Sequence, residues 1–283
     1  MTPLIGGLGA AFGWAGATLC AAASSRRIGS TPTLAWVMLS GFLVCAPIAA
    51  ATGWPEGLDA AAAGWLALAG GGNVGGLALL YAAMRTGEVG VLASIASTEG
   101  AIAALIAIAA GERPALITTI GFVPLLVGVA LVAVGPNAGL REPRPGRRRA
   151  IALAAGAATL FGASLFAAGQ ASASVPIGWV ALPARLVGVA ILAGALAAGA
   201  RPLVPVRLGR PALAAGVFEV LGILSFAWGA RGGIAITSVM SSQFSALAAL
   251  GAFLFFGERL VRRQVIGVGI LAVGVAMVAL GSA

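Results

Sequence analysis

Residues 257–281 read GERLVRRQVIGVGILAVGVAMVALG, and this stretch decides the fold because the chain contains it twice. Residues 111–135, GERPALITTIGFVPLLVGVALVAVG, lie 146 positions earlier and match it without a gap at 13 of 25 columns. The same offset pairs Arg85 with Arg231 further upstream. We therefore predict that the chain is an internal duplication.

The composition indicates that the solvent of this protein is a lipid bilayer. Hydrophobic residues make up 60% of the chain and charged residues only 9%. Apolar runs of about 20 residues recur along the whole length, and each can cross a hydrocarbon core of roughly 30 Å. A net charge of +9 would suggest nucleic acid in a soluble chain. Here the arginines lie between the apolar runs, so we predict an all-α membrane protein without a nucleic-acid partner.

Five membrane spans are predicted in each repeat. Their residues are 3–23, 33–52, 61–84, 88–110, 115–135, 150–170, 176–198, 211–230, 234–256 and 261–280. The repeats are thus residues 1–135 and 150–283, joined by a basic, proline-rich linker at 136–149. Because five is odd, the second repeat must cross the membrane in the opposite orientation, which gives inverted repeats around an axis in the membrane plane.

The arginines predict the orientation of the spans. All 17 basic residues are arginine, and 14 of them lie in the loops after spans 1, 3, 5, 7 and 9. The alternate loops hold Arg113 and Arg231, together with the acidic Glu56 and Asp59. Because cytoplasmic loops carry the excess of positive charge, both termini are predicted to lie outside the cytoplasm.

Each repeat closes its fourth span with Gly-Glu-Arg and opens its fifth with an Ile-Gly…Gly-Val pattern. This organisation resembles the drug/metabolite transporter superfamily, and within it the EamA-type bacterial exporters of amino acids and metabolites. The resemblance implies a multi-pass protein of the bacterial cytoplasmic membrane that exports small solutes by alternating access. Relatives often carry an arginine early in the second span of a repeat, where this chain has Arg185 in repeat two but Ser40 and Gly41 in repeat one. Relatives are also often drawn with cytosolic termini, and here we follow the arginine count instead.

Polar residues deep in the spans are the candidates for a substrate site. Inverted-repeat transporters bind their substrates near the bilayer midplane, where polar groups are costly and therefore informative. The 146-residue offset pairs Asn73 with Glu219, Ser97 with Gln243, and Glu99 with Ser245. An inverted repeat would bring these positions of spans 3, 4, 8 and 9 together around its axis, so we predict one constellation. The alternative is that each group pairs privately, Glu219 with Arg185 for instance, and only joins helices.

A neutral or aromatic amino acid is the substrate that these residues favour. Glu99 can meet its ammonium group, and Arg185 can meet its carboxylate if no acid already engages the arginine. Asn73 and Gln243 can supply orienting hydrogen bonds, and Trp14, in the middle of span 1, an aromatic wall. Apolar contacts discriminate weakly, so such a pocket would accept varied side chains.

Proton-coupled efflux of hydrophobic or quaternary ammonium drugs is the alternative function. A desolvated Glu99 or Glu219 can exchange a proton for substrate. The small cation/proton antiporters related to this superfamily use a glutamate in their first span, however, and span 1 here contains no acid.

Catalytic chemistry is not expected. The chain contains no His, and Cys20 and Cys45 stand alone inside apolar runs without metal-ligand spacing. The carboxylates are too few and too dispersed for a metal pair. We therefore expect a monomeric transporter with no metal or cofactor, and no enzyme activity.

Overall fold

The computed structural model describes residues 1–84, 95–133, 147–200, 203–256 and 262–281. Every regular element in these ranges is a helix. In chain order the helices are α1 (Thr2–Ile28), α2 (Ser30–Ala51), α3 (Ala60–Met84), α4 (Glu99–Ala109), α5 (Leu116–Ala133), α6 (Arg147–Ser174), α7 (Ile177–Ala197), α8 (Val206–Ala230), α9 (Ile234–Ser241), α10 (Phe244–Phe256) and α11 (Arg262–Gly281). The prediction of an all-helical membrane protein is confirmed over these residues.

Seven of the helices are long and apolar enough to cross a membrane. They correspond to the predicted spans 1, 2, 3, 6, 7, 8 and 10. Several of them extend past the apolar runs, so Arg27, Arg149, Arg207 and Arg262 lie on helix ends and not in loops. Long arginine side chains can reach the lipid headgroups from such positions, which explains why the helices continue there. The first turn of α6 accordingly occupies the last residues of the predicted linker.

Spans 4 and 9 each contain a two-residue break, and the 146-residue offset matches the two breaks to within one residue. A turn at residues 97–98 precedes α4, and a turn at residues 242–243 separates α9 from α10. At each break a backbone N–H bonds the carbonyl three residues earlier, from Thr98 at 3.1 Å and from Gln243 at 3.3 Å. The predicted upstream half of span 4 lies mostly outside the described residues. Broken helices in membrane transporters occur where the backbone lines a cavity or is buried in protein.

The helices pack in pairs that map onto each other under the 146-residue offset. Helix α1 packs on α8 and its counterpart α6 packs on α3, while α2 packs on α8 and its counterpart α7 on α3. Helices α5 and α11, which are counterparts, pack on each other. A Cβ at Gly128 would lie 2.6 Å from Leu271 Cγ, and a Cβ at Gly274 would lie 2.7 Å from Leu125 Cγ. Such reciprocal contacts are of the kind that a two-fold axis produces.

Replacing Gly128 by Val tests the packing of α5 on α11. The new side chain would meet Leu271 and the Gly267 carbonyl, which lies 2.9 Å from the position of the Cβ. We expect a loss of about 1–3 kcal/mol of stability from this overpacking. Gly269→Val on α11 is the matched control, since nothing lies within 4 Å of a Cβ at that position. Equal changes in thermal unfolding of the two variants in detergent would contradict the packing.

Candidate functional site

Arg185 and Glu219 form an ion pair between α7 and α8. Arg185 Nη2 lies 3.0 Å from Glu219 Oε2, and the side chains are 4% and 33% exposed. Arg185 Nη1 lies 3.5 Å from the sulfur of Met38. Gly41 of α2 makes room for the arginine, because a Cβ there would lie 2.9 Å from Arg185 Nε. The alternative in which Glu219 pairs with Arg185 is therefore present in the structure. Arg185 can bind a substrate carboxylate only if this ion pair opens.

The accessible part of Glu219 faces the inside of the bundle. Successive residues of a helix are rotated by about 100°, which places Ala215 and Phe226 on nearly the same face of α8 as Glu219. Both of these residues are 0% exposed. Val217 and Trp228, on the opposite face, are 38% and 42% exposed. Lipid therefore lies against the Val217 face, and the exposed third of Glu219 opens onto a space between the helices.

Glu99 lies beside this space, in the first turn of α4 directly after the break. It is near enough to Glu219 for the two carboxylate charges to interact. A Cβ at Gly162 of α6 would lie 3.0 Å from the Glu99 carbonyl oxygen, so α6 passes close to the break. Gly100 packs directly on the Ser238 carbonyl of α9. The breaks of spans 4 and 9 are thus in contact, and Glu99 lies near both of them.

Two amide side chains end near these breaks with an oxygen that has no partner. Asn73 Oδ1 and Gln243 Oε1 are buried and accept no hydrogen bond. Gln243 is 5% exposed, and its Nε2 donates to the Val239 carbonyl at 3.1 Å. Most buried polar groups in proteins are hydrogen-bonded, so orphaned oxygens indicate a missing donor.

The contacts of the neighbouring Gly72 show at which depth of the bundle Asn73 lies. A Cβ at Gly72 would lie 3.0 Å from the Leu160 carbonyl oxygen and 3.1 Å from Ser164 Cβ, both on α6. The same stretch of α6 contains Gly162, which contacts Glu99. Asn73 and Glu99 therefore lie at the same level, on the two sides of α6.

Trp14 joins the other side of the site. Its ring stacks on Phe226 of α8, with 6.0 Å between centroids, and meets the edge of Phe244, at 6.4 Å. Phe244 directly follows Gln243 in the break of span 9. The half-buried Trp14 therefore connects the Glu219 helix with that break, as an aromatic wall would.

Ser97 and Ser245 contribute less to the arrangement. Ser97 lies in the break of span 4 and is 1% exposed. Ser245 donates to the Ser242 carbonyl of its own helix at 3.4 Å. The structure thus places Glu99 near the Arg185–Glu219 pair. The Ser245 hydroxyl, in contrast, bonds a carbonyl of its own helix.

Broken helices and charged residues inside an apolar bundle are typical of membrane transport proteins. Residues 1–134 match the model of the EamA-like transporter family. The match covers just under half of the chain. It indicates a multi-pass membrane transporter of small solutes, since the EamA-like family is one of transporters.

A solved structure shows the same fold as this transporter. This structure, described as "Crystal structure of protein", superposes with a TM-score of 0.80 at 18% identity. It covers 98% of this chain and 96% of that chain. No curated protein matches the transporter in sequence.

Sequence reasoning missed the role of Glu112 in the transporter. Its Oε1 accepts a hydrogen bond from the N–H of Ile234 at 2.7 Å, and its Oε2 accepts one from Ala235 at 2.9 Å. The glutamate of the first Gly-Glu-Arg motif thus caps α9 in the other repeat. Gly111 makes the turn before it at a φ of 114°, which favours glycine. The repetition of Gly-Glu-Arg was the available signal.

Arg231 has a structural role as well, which its position in a predicted loop does not indicate. Its Nε and Nη2 donate to the carbonyls of Ser172 and Val175, at 2.7 and 3.0 Å. These carbonyls lie at the C-terminal end of α6, where arginine is favourable. Its counterpart Arg85 lies outside the described residues.

Replacing Glu112 by Gln is expected to destabilise the transporter by about 1–2 kcal/mol. The amide loses the charge that the N-terminus of α9 favours and one of the two acceptor oxygens. Glu56→Gln, in an exposed loop position, is the matched control and should be neutral. The thermal unfolding of both variants in detergent checks this; equal melting temperatures would show that the cap contributes nothing.

Proposed function

We propose that this transporter exports neutral and aromatic amino acids from the cytoplasm, through a site inside the bundle beside the breaks of spans 4 and 9. The observation that carries the proposal is the presence of charged groups inside the apolar bundle: Glu99 lies at the break of span 4, and Glu219 is paired with Arg185. Among the described residues, Arg185 is the cation that pairs with Glu219. An ammonium group provides the charge and the donors that Glu99 lacks, while Trp14 offers an aromatic surface for the side chain.

Two inverted five-helix repeats, residues 1–135 and 150–283, would form this site between them. The reciprocal contacts of α5 with α11, and the matching of α1·α8 with α6·α3, support the inversion. Alternating access would then be a rocking of one repeat against the other, with bending at the breaks near residues 97–98 and 242–243. Helices α5 and α11 would stay on the periphery, since their exposed residues are large and apolar, such as Val123 at 62% and Val273 at 56%.

The proposed orientation places both termini outside the cytoplasm of a bacterial inner membrane. Pro3 lies against Gly232, next to the Arg231 turn, so the N-terminus shares a face of the bundle with the loops that hold few arginines. At the other end, Trp36 near the start of α2 donates to the Val204 carbonyl at 3.2 Å, so the end of the bundle with Arg27 lies beside the segment between α7 and α8. The arginine-rich end would be cytoplasmic.

Uptake of labelled solutes into proteoliposomes tests the proposal. The panel holds several neutral and aromatic amino acids, one quaternary ammonium dye and one nucleotide sugar, with protein-free liposomes as the control. We expect saturable flux of phenylalanine and related amino acids. Saturable flux of the dye alone, with every amino acid inert, would contradict the proposal and favour drug efflux.

A further inference from the structure

We infer that the site recognises its substrate through an ammonium group that donates hydrogen bonds, and not through a carboxylate, so that primary amines without a carboxylate are also substrates. The inference rests on the proposed function and narrows it. It follows from an inventory of charges and of unsatisfied hydrogen-bonding atoms inside the bundle.

The charges inside the bundle do not balance. Among the described residues, the ionisable side chains deep in the spans are Glu99, Glu219 and Arg185. The arginine is 4% exposed on its side chain and already lies 3.0 Å from Glu219. One carboxylate therefore remains without a cation when both glutamates are ionised. An unpaired charge inside the bundle is costly, so Glu99 either takes up a proton or gains a cation, and a positively charged ligand stabilises its ionised form.

The unsatisfied atoms also call for a donor. Asn73 Oδ1 and Gln243 Oε1 are amide oxygens, which can only accept hydrogen bonds. Ser238, 0% exposed, has a hydroxyl without a partner as well. A substrate carboxylate has no proton to give to these amide oxygens, whereas a primary ammonium group has three.

The unsatisfied donor of Arg185 does not offer a carboxylate site. Its Nε is buried without a partner, and it lies on the side of α7 that packs against α2. A Cβ at Gly41 would already lie 2.9 Å from that nitrogen, so the backbone of α2 covers it. The arginine thus forms an ion pair with Glu219 on one side, and α2 covers it on the other.

The acceptor groups of span 9 lie beside the turn that carries Glu99. Gly100, next to Glu99, packs on the Ser238 carbonyl, and Ser238 lies five residues before Gln243 in the same span. Asn73 lies at the level of Glu99 on the other side of α6. Helix α6 separates Asn73 from Glu99, so the acceptors within reach of an ammonium group at Glu99 are those of span 9. The side chain that follows the ammonium group can extend toward Trp14, which contacts Phe244 next to Gln243.

Four probes that share one aromatic side chain separate the possibilities. They are phenylalanine, phenethylamine, which lacks the carboxylate, N-acetylphenylalanine, which lacks the ammonium group, and trimethylphenethylammonium, which has a charge but no N–H. Binding to the full-length protein in detergent is measured by titration. We expect phenylalanine and phenethylamine to bind within a few-fold of each other, and the other two at least about tenfold more weakly.

Each other result overturns a stated part of the inference. Binding of N-acetylphenylalanine as tight as that of phenylalanine, with phenethylamine inert, would overturn the inference while leaving amino-acid export standing. Equal binding of the quaternary and the primary amine would overturn the hydrogen-bond requirement. Failure of all four probes to bind would overturn both the proposed function and the inference.

Two variants test which acceptor atoms bind the ammonium group of the substrate. Gln243→Leu removes the unpartnered oxygen in the break that contacts the Glu99 turn, and it should weaken phenethylamine binding about tenfold or more. Asn73→Leu removes an unpartnered oxygen on the far side of α6 and should change the binding less. Thr119→Val is the control, because Thr119 is exposed on α5 and donates to its own helix, to the Ala115 carbonyl at 3.2 Å. Unchanged affinity in folded Gln243→Leu would contradict the assignment, and the wild-type probe series decides the inference even if a variant fails to fold.

Discussion

Replacing Arg185 by Met is expected to destabilise the transporter by about 2–4 kcal/mol, because Glu219 then lies inside the bundle without its cation. The expected loss is below that of a fully enclosed pair, since the Glu219 side chain is 33% exposed. Thermal unfolding in detergent measures it. Met38, Gly41 and Arg185 pack together, so methionine was chosen to keep most of the apolar volume.

The double variant Arg185→Met, Glu219→Gln separates this explanation from loss of packing. Removing the orphaned carboxylate should recover most of the lost stability, because no unpaired charge remains. If Arg185 instead only binds a substrate carboxylate, the single variant should melt like the wild type and lose phenylalanine binding. Such a result would contradict the pairing of Arg185 with Glu219 as a structural interaction.

Replacing Glu99 by Gln is expected to lower amino-acid flux by about 10- to 100-fold, the range of a lost charged hydrogen bond. Glutamine keeps the shape and one acceptor oxygen but not the charge that would meet the ammonium group. Initial uptake rates in proteoliposomes, normalised to folded protein, measure the effect. Thr119→Val is the matched control and should transport at the wild-type rate. Wild-type flux in Glu99→Gln would exclude this carboxylate from substrate recognition.

Most of the helices could be predicted from the sequence because bilayer thickness sets their length. Helix α3 at Ala60–Met84 and α7 at Ile177–Ala197 end within one residue of the predicted spans. The helix ends that carry Arg27 and Arg207 were predicted too short, since hydropathy marks where the apolar run stops and not where the helix does. The repeated sequence also identified which helices are counterparts, but not which helices pack on each other.

The helix breaks could not be predicted, since no local signal marks them. Neither residues 95–99, IASTE, nor residues 240–245, MSSQFS, contain a proline or glycine. The interruption depends on tertiary packing, where Gly100 meets the Ser238 carbonyl across two spans that are distant in sequence. The capping role of Glu112 was missed for the same reason, because a loop carboxylate finds a helix N-terminus only in the folded bundle.

For the candidate site, the sequence suggested which residues take part, but it could not predict their contacts. The offset alone placed Asn73 with Glu219, but it could not show that Arg185 reaches Glu219 through the gap left by Gly41. Depth in the membrane follows from counting residues, whereas the partner of a buried charge depends on how neighbouring helices are rotated. The same limit applies to Ser245, whose hydroxyl bonds its own helix.

Protection of Glu99 by phenylalanine tests most directly whether the substrate lies inside the bundle beside the break of span 4. The reconstituted protein is treated with a hydrophobic carbodiimide, with and without saturating phenylalanine, and the modified carboxylates are located by mass spectrometry. Glu112, which caps α9 away from the site, is the internal reference. We predict that phenylalanine lowers modification of Glu99 and leaves that of Glu112 unchanged. Modification of Glu99 that is the same with and without phenylalanine would contradict a substrate site at this position.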